Sequence, residues 1–571
     1  MTDQKSSNRP RVTRAPHASL LVGVFALFLF SFYLMFHTFS YNSGTHEILI
    51  ASKAWSDFGA HIPLIRSFSY GPNLARLFHG QPVESPLFPG EPIRYHFGFY
   101  ALVGLLEKLG VRIDWALNIP SALGFFLLLG TIYLLSYILF TDRRVSLLSV
   151  IFFLFNGSLS ALRFFQSHPL NPNTVTDIIT NSRFPAFGPW DGNTITAFWT
   201  LNIYTNQRHL GLSYGIILSI LCLLLLPSKK PAARGVRDAI TIAILSSLLL
   251  FFNYPAALIL AVCCLAVFAV RPDIRLPLAS AGVMSLPALF LLYHVAHISS
   301  DIVWQPGYLA SPLTPTHFVQ FWFDNLGLQL LFIPLGLLFA PRSIRRMFLG
   351  PLLVLFILPN LFRFSPDMIN NHKFFNFFLV IGNMFSAYAL FRILKLYEKS
   401  PHKQLRKLLQ IITGIVFVVA LTLSGIIDFF PIVNDTKGAI PDVRVNNDAQ
   451  FFLYHIAPTA IIANSTWFYH PASIAGRSLF SGYTYFTWSY GYNQVEREQI
   501  LKNLYNASDL RAICSILGKN HIAAVELNPK PESYLAINFP LWLSFPAAYE
   551  NTKTGLKVFL TRDLCTNITT H

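Results

Sequence analysis

WSDFGAHIPLIRSFSYGPNLARLFHGQPVESPLFPGEPIRYHFGFY, residues 55–100, directly follows the first hydrophobic span and brings acids, bases and cations into one loop. Its ionisable residues are Asp57, His61, Arg66, Arg76, His79, Glu84, Glu91, Arg94 and His96. The first half has a helical pattern that places Asp57 and His61 four residues apart, on one face. Pro and Gly punctuate the second half, which predicts an irregular loop. A long loop with this many aromatic residues is typical of a functional segment rather than a disordered one.

The chain around this loop is too apolar for a soluble protein. Of its 571 residues 53% are hydrophobic and 12% charged, and its mean hydropathy is +0.47, whereas a soluble domain carries roughly 25% charged residues. Repeated apolar runs of about 20 residues predict a polytopic α-helical membrane protein. A net charge of +16 is compatible with nucleic-acid binding. However, the cations cluster in short loops between spans, as in membrane proteins, so no nucleic-acid partner is predicted.

About eleven transmembrane helices are predicted within residues 18–429. Residues 1–17 form a basic cytoplasmic tail, so the loops 37–115 and 166–209 lie outside the cytoplasm. Residues 97–110 are apolar but too short to span, and are predicted to form a helix at the outer interface. The spans themselves are predicted at about 18–36, 116–140, 145–165, 210–226, two runs meeting at Asn253–Pro255, 276–294, 317–340, 348–364, 374–394 and 408–429. With this count every basic loop faces inward, and the plasma (inner) membrane is the predicted location.

Residues 430–571 have the composition of a small extracytosolic α/β domain. Asn447 or Asp448 is predicted to cap a helix that ends near Ile456. Strands are predicted at 459–464, 522–527 and 556–562, and helices at 496–505 and 508–517. Cys514 and Cys565 pair if this domain lies in an oxidising compartment, and the sequence leaves the paired and free forms open.

This arrangement resembles the GT-C class of membrane glycosyltransferases. In that class a catalytic acid follows span 1 in the first outer loop, a membrane-lying helix comes next, and a soluble outer domain often ends the chain. Here the acid is Asp57. The run LGVRIDWALNIPSALGFFLLLGTIYLLSYILFTDRR (109–144) resembles the second-span region of the class, with Asn118 in place of an arginine. Many members have paired acids in the first loop, whereas this chain has Asp57 alone.

The residues themselves suggest the same chemistry. Nucleotide sugars are absent outside the cytoplasm, so the predicted donor is a polyprenyl-phosphate sugar, and the acceptor is a glycan, a lipid or a protein. Inverting transfer needs a carboxylate that takes the acceptor proton, and Asp57 is the prediction, with Asp191 of PWDG as the alternative acid. Cations must hold the leaving phosphate. The candidates are His61, Arg94 with His96, Arg208 with His209, and His372 with Lys373.

Each candidate also has a structural interpretation. Asp57 can serve as a helix cap or as the partner of Arg66, and the cations can reach membrane lipid headgroups. His61 favours a structural role, although Asp57 and His61 together can hold a divalent cation, the one cofactor that the pattern allows; no metal ligands are assigned.

Two other functions remain open. A transporter or flippase of lipid-linked saccharides needs polar residues that face each other inside the helix bundle. A non-catalytic membrane assembly protein would tolerate the loss of Asp57, Arg94 and Lys373 together.

Overall fold

The computed structural model describes residues 17–188, 194–226, 231–297, 302–397 and 403–566. The basic tail 1–16 and Asp191 lie outside these ranges. The helices are α1 (His17–Thr38), α2 (Trp55–Ser69), α3 (Asn73–Phe78), α4 (Gly98–Lys108), α5 (Ile113–Phe140), α6 (Arg143–Leu154), α7 (Ser160–Ser167), α8 (Thr174–Ile179), α9 (Asn202–Asn206), α10 (His209–Leu225), α11 (Pro231–Phe252), α12 (Tyr254–Val270), α13 (Arg275–Val295), α14 (Pro315–Leu326), α15 (Gln329–Phe339), α16 (Arg342–Leu361), α17 (His372–Leu396), α18 (Lys403–Val433), α19 (Asn447–His455), α20 (Pro471–Ile474), α21 (Thr484–Ser489), α22 (Gln494–Tyr505), α23 (Leu510–Lys519), α24 (Phe539–Leu543) and α25 (Thr561–Cys565). The strands are β1 (Phe39–Asn42), β2 (Glu47–Ala51), β3 (Glu84–Ser85), β4 (Phe88–Pro92), β5 (Val303–Trp304), β6 (Phe362–Arg363), β7 (Lys437–Pro441), β8 (Ile461–Ala463), β9 (Ser478–Leu479), β10 (Ile522–Leu527), β11 (Tyr549–Glu550) and β12 (Lys557–Leu560).

The helical membrane architecture is confirmed. Among the described residues, seven helices are long and apolar enough to cross a membrane: α1, α5, α11, α13, α16, α17 and α18. The pair α14 and α15 makes an eighth if its two halves, bent by 83°, form one span. α10 and α12 are apolar but have only 17 residues each. The total of eleven spans therefore stays a prediction.

Two predicted spans are not single helices. The prediction was wrong for 145–165, which forms helices of only 12 and 8 residues, whereas 317–340 is a bent pair that can still form one span. The run 145–165 forms α6 and α7, with an interruption at 155–159, and the run 317–340 forms α14 and α15. A Cβ on Gly157 would lie 2.3 Å from the Leu421 carbonyl oxygen, so the backbone at the first break passes directly against α18. At the second break Gly327 has φ of +55°, a left-handed conformation that ends the helix. The hydropathy pattern shows neither the close backbone approach at Gly157 nor the turn at Gly327.

The loop that follows α1 pairs with the chain that follows α18. α18 continues to Val433, four residues beyond the predicted boundary at 429, and β7 then joins β2 in an antiparallel sheet of order β1–β2–β7. The register sets Ile48 opposite Ile440 and Leu49 opposite Ala439. The second half of the loop, predicted to be irregular, contains the β3–β4 hairpin, so that prediction was wrong in part.

Residues beyond β7 build a five-stranded sheet of order β11–β12–β10–β8–β9. β10 runs parallel to β8, and β8 parallel to β9, while β12 is antiparallel to both of its neighbours. The three predicted strands and both predicted helices are present. The N-cap of α19 is Asn446 rather than Asn447 or Asp448, because its side chain accepts a hydrogen bond from the Ala449 amide at 3.0 Å. Cys514 and Cys565 form a disulfide.

A buried ion cluster joins these two parts of the chain. Arg66 of α2 is fully buried, and its Nη2 lies 3.2 Å from Glu107 Oε1 on α4 and 2.7 Å from Asp442 Oδ1 after β7. Around it, Phe58, Phe68, Phe97 and Phe452 belong to one apolar cluster. The ion cluster and the apolar cluster together fix the first loop against the C-terminal segment.

Candidate active site

Asp57 lies in the first turn of α2, half-buried, at the wall of a cavity of about 140 Å³, called here the Asp57 cavity. Ala54 is the N-cap of α2 and offers no side-chain cap, and Arg66 pairs with Glu107 and Asp442. Both structural roles proposed for Asp57 are therefore absent among the described residues. Its carboxylate forms no hydrogen bond with them either. Burial raises the pKa of Asp57 to about 6, and the nearby Lys373 ammonium partly opposes this rise.

Two predicted histidines share the Asp57 cavity. His61, one turn along α2, is buried, with its ring centroid 4.8 Å from that of Tyr100. Burial lowers the pKa of His61 to about 3, and Arg208 contributes, so the imidazole is neutral. His372 begins α17, with its Nε2 3.2 Å from Gln207 Nε2 and its Nδ1 3.1 Å from Asn376 Nδ2.

A second cavity of about 180 Å³ adjoins the first and is called here the Lys373 cavity. Lys373, the second residue of α17, is buried, with its Nζ 5.9 Å from the centre of the Tyr95 ring. Its ammonium forms no ion pair or hydrogen bond with the described residues, while it does interact electrostatically with Asp57. The two cavities share the wall residues Tyr95, Asn370, Ser489 and Tyr490.

Arg94 and His96 also line the Lys373 cavity. The Arg94 guanidinium donates to the Gly491 carbonyl, lies 3.3 Å from Glu91 Oε2 and stands over the Tyr492 ring at 4.8 Å. Its charge therefore reaches the cavity, but several of its donors are already engaged. His96 is buried and contacts His209, with 2.7 Å between the two Nε2 atoms.

Arg208 points away from both cavities. Its guanidinium is almost completely buried between α1, α5 and α10, where it donates to the Met35 carbonyl, to Thr38 Oγ1 at 2.8 Å and to Asn118 Oδ1 at 3.2 Å. These contacts join three helices, and Asn118 is one of the acceptors. His209, the next residue, is also buried and lines neither cavity, but it contacts His96 and the ring of Tyr95, which do.

Some candidates cannot be placed, and some site residues were not predicted. Asp191 lies outside the described residues. The wall residues Tyr95, Asn370, Ser489 and Tyr490 were not assigned to the site from the sequence. Tyr490 belongs to a run of aromatic residues that sequence reasoning did notice, at 483–492, but an aromatic run alone does not show which cavity its members face.

The described part of the chain contains no cluster of three or more His, Cys, Asp or Glu side chains suited to hold a metal ion. Asp57 and His61 provide two donors on one helix, fewer than a dedicated cation site uses. The divalent cation stays an expectation from the sequence.

Comparison with known proteins gives structural neighbours only. No family model and no curated protein matches the chain. The archaeal oligosaccharyltransferase AglB from Archaeoglobus fulgidus, in complex with an inhibitory peptide and a dolichol-phosphate, has 13% identity and a TM-score of 0.40 over 89% of this chain and 70% of that one. ArnT from Cupriavidus metallidurans bound to undecaprenyl phosphate has 9% identity and a TM-score of 0.49 over 96% of this chain and 98% of that one.

Both neighbours are GT-C enzymes, the class that the sequence resembles. TM-scores below 0.5 at 9% and 13% identity do not carry an activity over to this chain. Its function has to be inferred from its own residues.

Proposed function

We propose that this protein is a membrane glycosyltransferase that moves a sugar from a polyprenyl-phosphate donor to an acceptor at the outer face of the membrane. Eleven spans, a cytoplasmic N-terminus and an extracytosolic C-terminal domain belong to the same proposal. The observation that carries it is the pair of adjoining cavities. One holds the Asp57 carboxylate and the other holds the Lys373 ammonium, and neither group forms a hydrogen bond or ion pair with the described residues.

The two groups suit the two halves of the reaction. In inverting transfer the acceptor oxygen bonds to the anomeric carbon of the sugar while the bond from that carbon to the phosphate oxygen breaks. The acceptor hydroxyl proton passes to the Asp57 carboxylate, which acts as general base. The electron pair of the broken bond stays on the phosphate oxygen, where Lys373, with Arg94 beside it, stabilises the negative charge. The wall of Tyr95 and Tyr490 lies where the sugar would bridge the two cavities.

The position of the Lys373 cavity suits a lipid-borne donor. Tyr254, Pro255 and Leu258, at the start of apolar α12, line it together with Phe374 of α17. An amphiphile can therefore place its phosphate beside Lys373 and its hydrocarbon chain along apolar helices.

The test replaces Asp57 with Asn in purified protein held in lipid nanodiscs. Polyprenyl-phosphate hexoses and pentoses are supplied with a membrane extract as acceptor, and the released polyprenyl phosphate is measured. Because Asn cannot take a proton, the release rate should fall by about 100-fold or more. The matched control is Asp177→Asn, a carboxylate of α8 that lines neither cavity, and it should keep the wild-type rate. Full activity in Asp57→Asn would refute the assignment of the base.

A flippase of lipid-linked saccharides is the second candidate, because polar side chains do meet inside the bundle. Gln329 Nε2 donates to Asn383 Oδ1 at 2.7 Å, and Asn383 Nδ2 donates to Asn156 Oδ1 at 3.3 Å, all of them buried. Asn156 Nδ2 has no hydrogen-bond partner among the described residues, but these amides line neither cavity, which favours a structural role. The flippase would be supported if the lipid-linked saccharide moved from one leaflet of a proteoliposome to the other and no polyprenyl phosphate was released.

A further inference from the structure

The contact between His96 and His209 requires a defined arrangement of protons. Their Nε2 atoms are 2.7 Å apart, and both rings are buried. Two imidazole nitrogens at this distance form a hydrogen bond only if one carries a proton and the other offers its lone pair. Burial and the neighbouring Lys373 ammonium lower the pKa of His96 well below its usual range, so this ring is neutral and has a single N–H.

Tyr100 determines which nitrogen donates. Its hydroxyl lies 3.2 Å from His209 Nδ1, and its side chain is fully buried. Burial keeps the Tyr100 pKa far above neutrality, so the phenol retains its proton. Tyr100 also shares a side-chain hydrogen bond with Tyr95. Burial raises the pKa of both phenols, and this bond adds to the rise for Tyr95 and opposes it for Tyr100, so the Tyr95 hydroxyl donates in that bond. The Tyr100 proton is then left for His209 Nδ1, and a buried hydroxyl that fails to donate is costly. With Tyr100 as donor, His209 carries its own proton on Nε2 and donates it to His96 Nε2.

His96 must then carry its proton on Nδ1. This nitrogen forms no hydrogen bond with the described residues, and His96 lines the Lys373 cavity. The hydrogen-bonded series Tyr100–His209–His96 therefore ends in an N–H at that cavity. Successive hydrogen bonds in a buried, low-dielectric setting polarise one another, which strengthens the terminal donor.

We propose that the Tyr100–His209–His96 series holds His96 in its Nδ1–H form as a neutral hydrogen-bond donor to an oxygen of a prenyl phosphate bound beside Lys373. Tyr100 and His209 are positioning residues, since they act through His96. The lipid character of the ligand rests on the proposed function. The prediction of the proton position rests on the His96–His209 and His209–Tyr100 contacts.

The first measurement is the tautomer of His96. Protein labelled with ¹⁵N-histidine is compared with its His96→Gln variant to assign the His96 ring nitrogens. The expected result is a protonated Nδ1 and an unprotonated Nε2 in the wild type. In Tyr100→Phe, which keeps the ring and removes the hydroxyl, the fixed proton position should be lost. A protonated Nε2 on wild-type His96 would overturn the proposal, because a purely structural histidine pair needs no particular polarity.

The second measurement is the binding of farnesyl phosphate, with farnesol as the phosphate-free probe. Tyr100→Phe should bind farnesyl phosphate about tenfold more weakly, the effect of losing one oriented hydrogen bond, while farnesol binding is unchanged. Tyr204→Phe, another buried tyrosine that lines neither cavity, is the control and should bind both probes as the wild type does. If Tyr100→Phe bound farnesyl phosphate and farnesol more weakly by the same factor, the cause would be a packing defect, and the proposal would be contradicted.

The outcomes separate this proposal from the proposed function. Farnesyl phosphate binding that depends on Tyr100, without sugar transfer from any donor, would leave the phosphate site standing and reject the glycosyltransferase. Sugar transfer and farnesyl phosphate binding that both persist unchanged in Tyr100→Phe would reject the positioning role alone.

Discussion

At the level of single residues, Asp57 and Lys373 differ from the nearby arginines because they form no hydrogen bond or ion pair with the described residues. Arg66, Arg94 and Arg208 are each held by carboxylates, carbonyls or hydroxyls. Asp57 and Lys373 are not held in this way and face adjoining cavities. Buried charges without partners are costly, so their presence in cavities is a reason to expect a bound substrate.

The pH dependence of sugar transfer should follow the protonation of the Asp57 carboxylate. Its pKa is raised to about 6, so the carboxylate is the deprotonated base above that pH and is progressively protonated below it. The second-order rate constant kcat/KM should therefore rise about tenfold per pH unit below 6 and level off above it. The measurement is release of polyprenyl phosphate between pH 4.5 and 8, with Asp177→Asn showing the same curve. A flat profile across pH 6 would show that another group is the base.

At the level of helices and strands, hydropathy predicts a continuous helix over 145–165, but packing against α18 interrupts it between α6 and α7. The segment between α6 and α7 passes so close to α18 that Gly157 and Gly425 each lie against a backbone: a Cβ on Gly425 would lie 2.3 Å from the Phe155 carbonyl carbon. Small residues at helix contacts allow such close approach in membranes. The break is therefore a packing feature that local periodicity cannot predict.

Replacing Gly157 with Ala should lower the thermal stability of the purified protein. The added methyl must push α18 away from the break, and such overpacking costs about 1–3 kcal/mol. Gly130→Ala is the matched control: an added Cβ in the middle of α5 meets nothing within 4 Å, so it should be neutral or stabilising by up to about 1 kcal/mol. Unfolding in detergent, followed by circular dichroism, measures both. Equal stability of the two variants would contradict the close contact.

At the scale of the whole molecule, the C-terminal segment completes the site rather than merely following the membrane part. β7 extends the β1–β2 sheet that follows α1, and Tyr469 donates a hydrogen bond to the Trp55 carbonyl. Ser489 and Tyr490 form part of the wall between the cavities. The ion cluster of Arg66, Glu107 and Asp442 secures this docking.

Removing the arginine of that cluster should destabilise the whole assembly. Arg66→Ala leaves Glu107 and Asp442 buried without their partner, which costs about 3–5 kcal/mol. Arg76→Ala is the control, because the Arg76–Glu84 pair is partly exposed and such pairs contribute about 0–1 kcal/mol. Limited proteolysis and the thermal unfolding midpoint distinguish the two variants. An Arg66→Ala protein as stable as Arg76→Ala would show that the docking depends on apolar contacts alone.

Local hydropathy and residue pattern were enough to predict the polytopic membrane class, the helical position of Asp57 after the first span, and three of the five strands of the C-terminal sheet. Which charged side chains meet followed only from the packing of the helices and sheets. This packing set Lys373 beside the Asp57 cavity, directed Arg208 inward, and paired Arg66 with Glu107 and Asp442. The reason is physical: a side chain's partner depends on the packing of helices far apart along the chain, and periodicity fixes the face of a helix without fixing its neighbour.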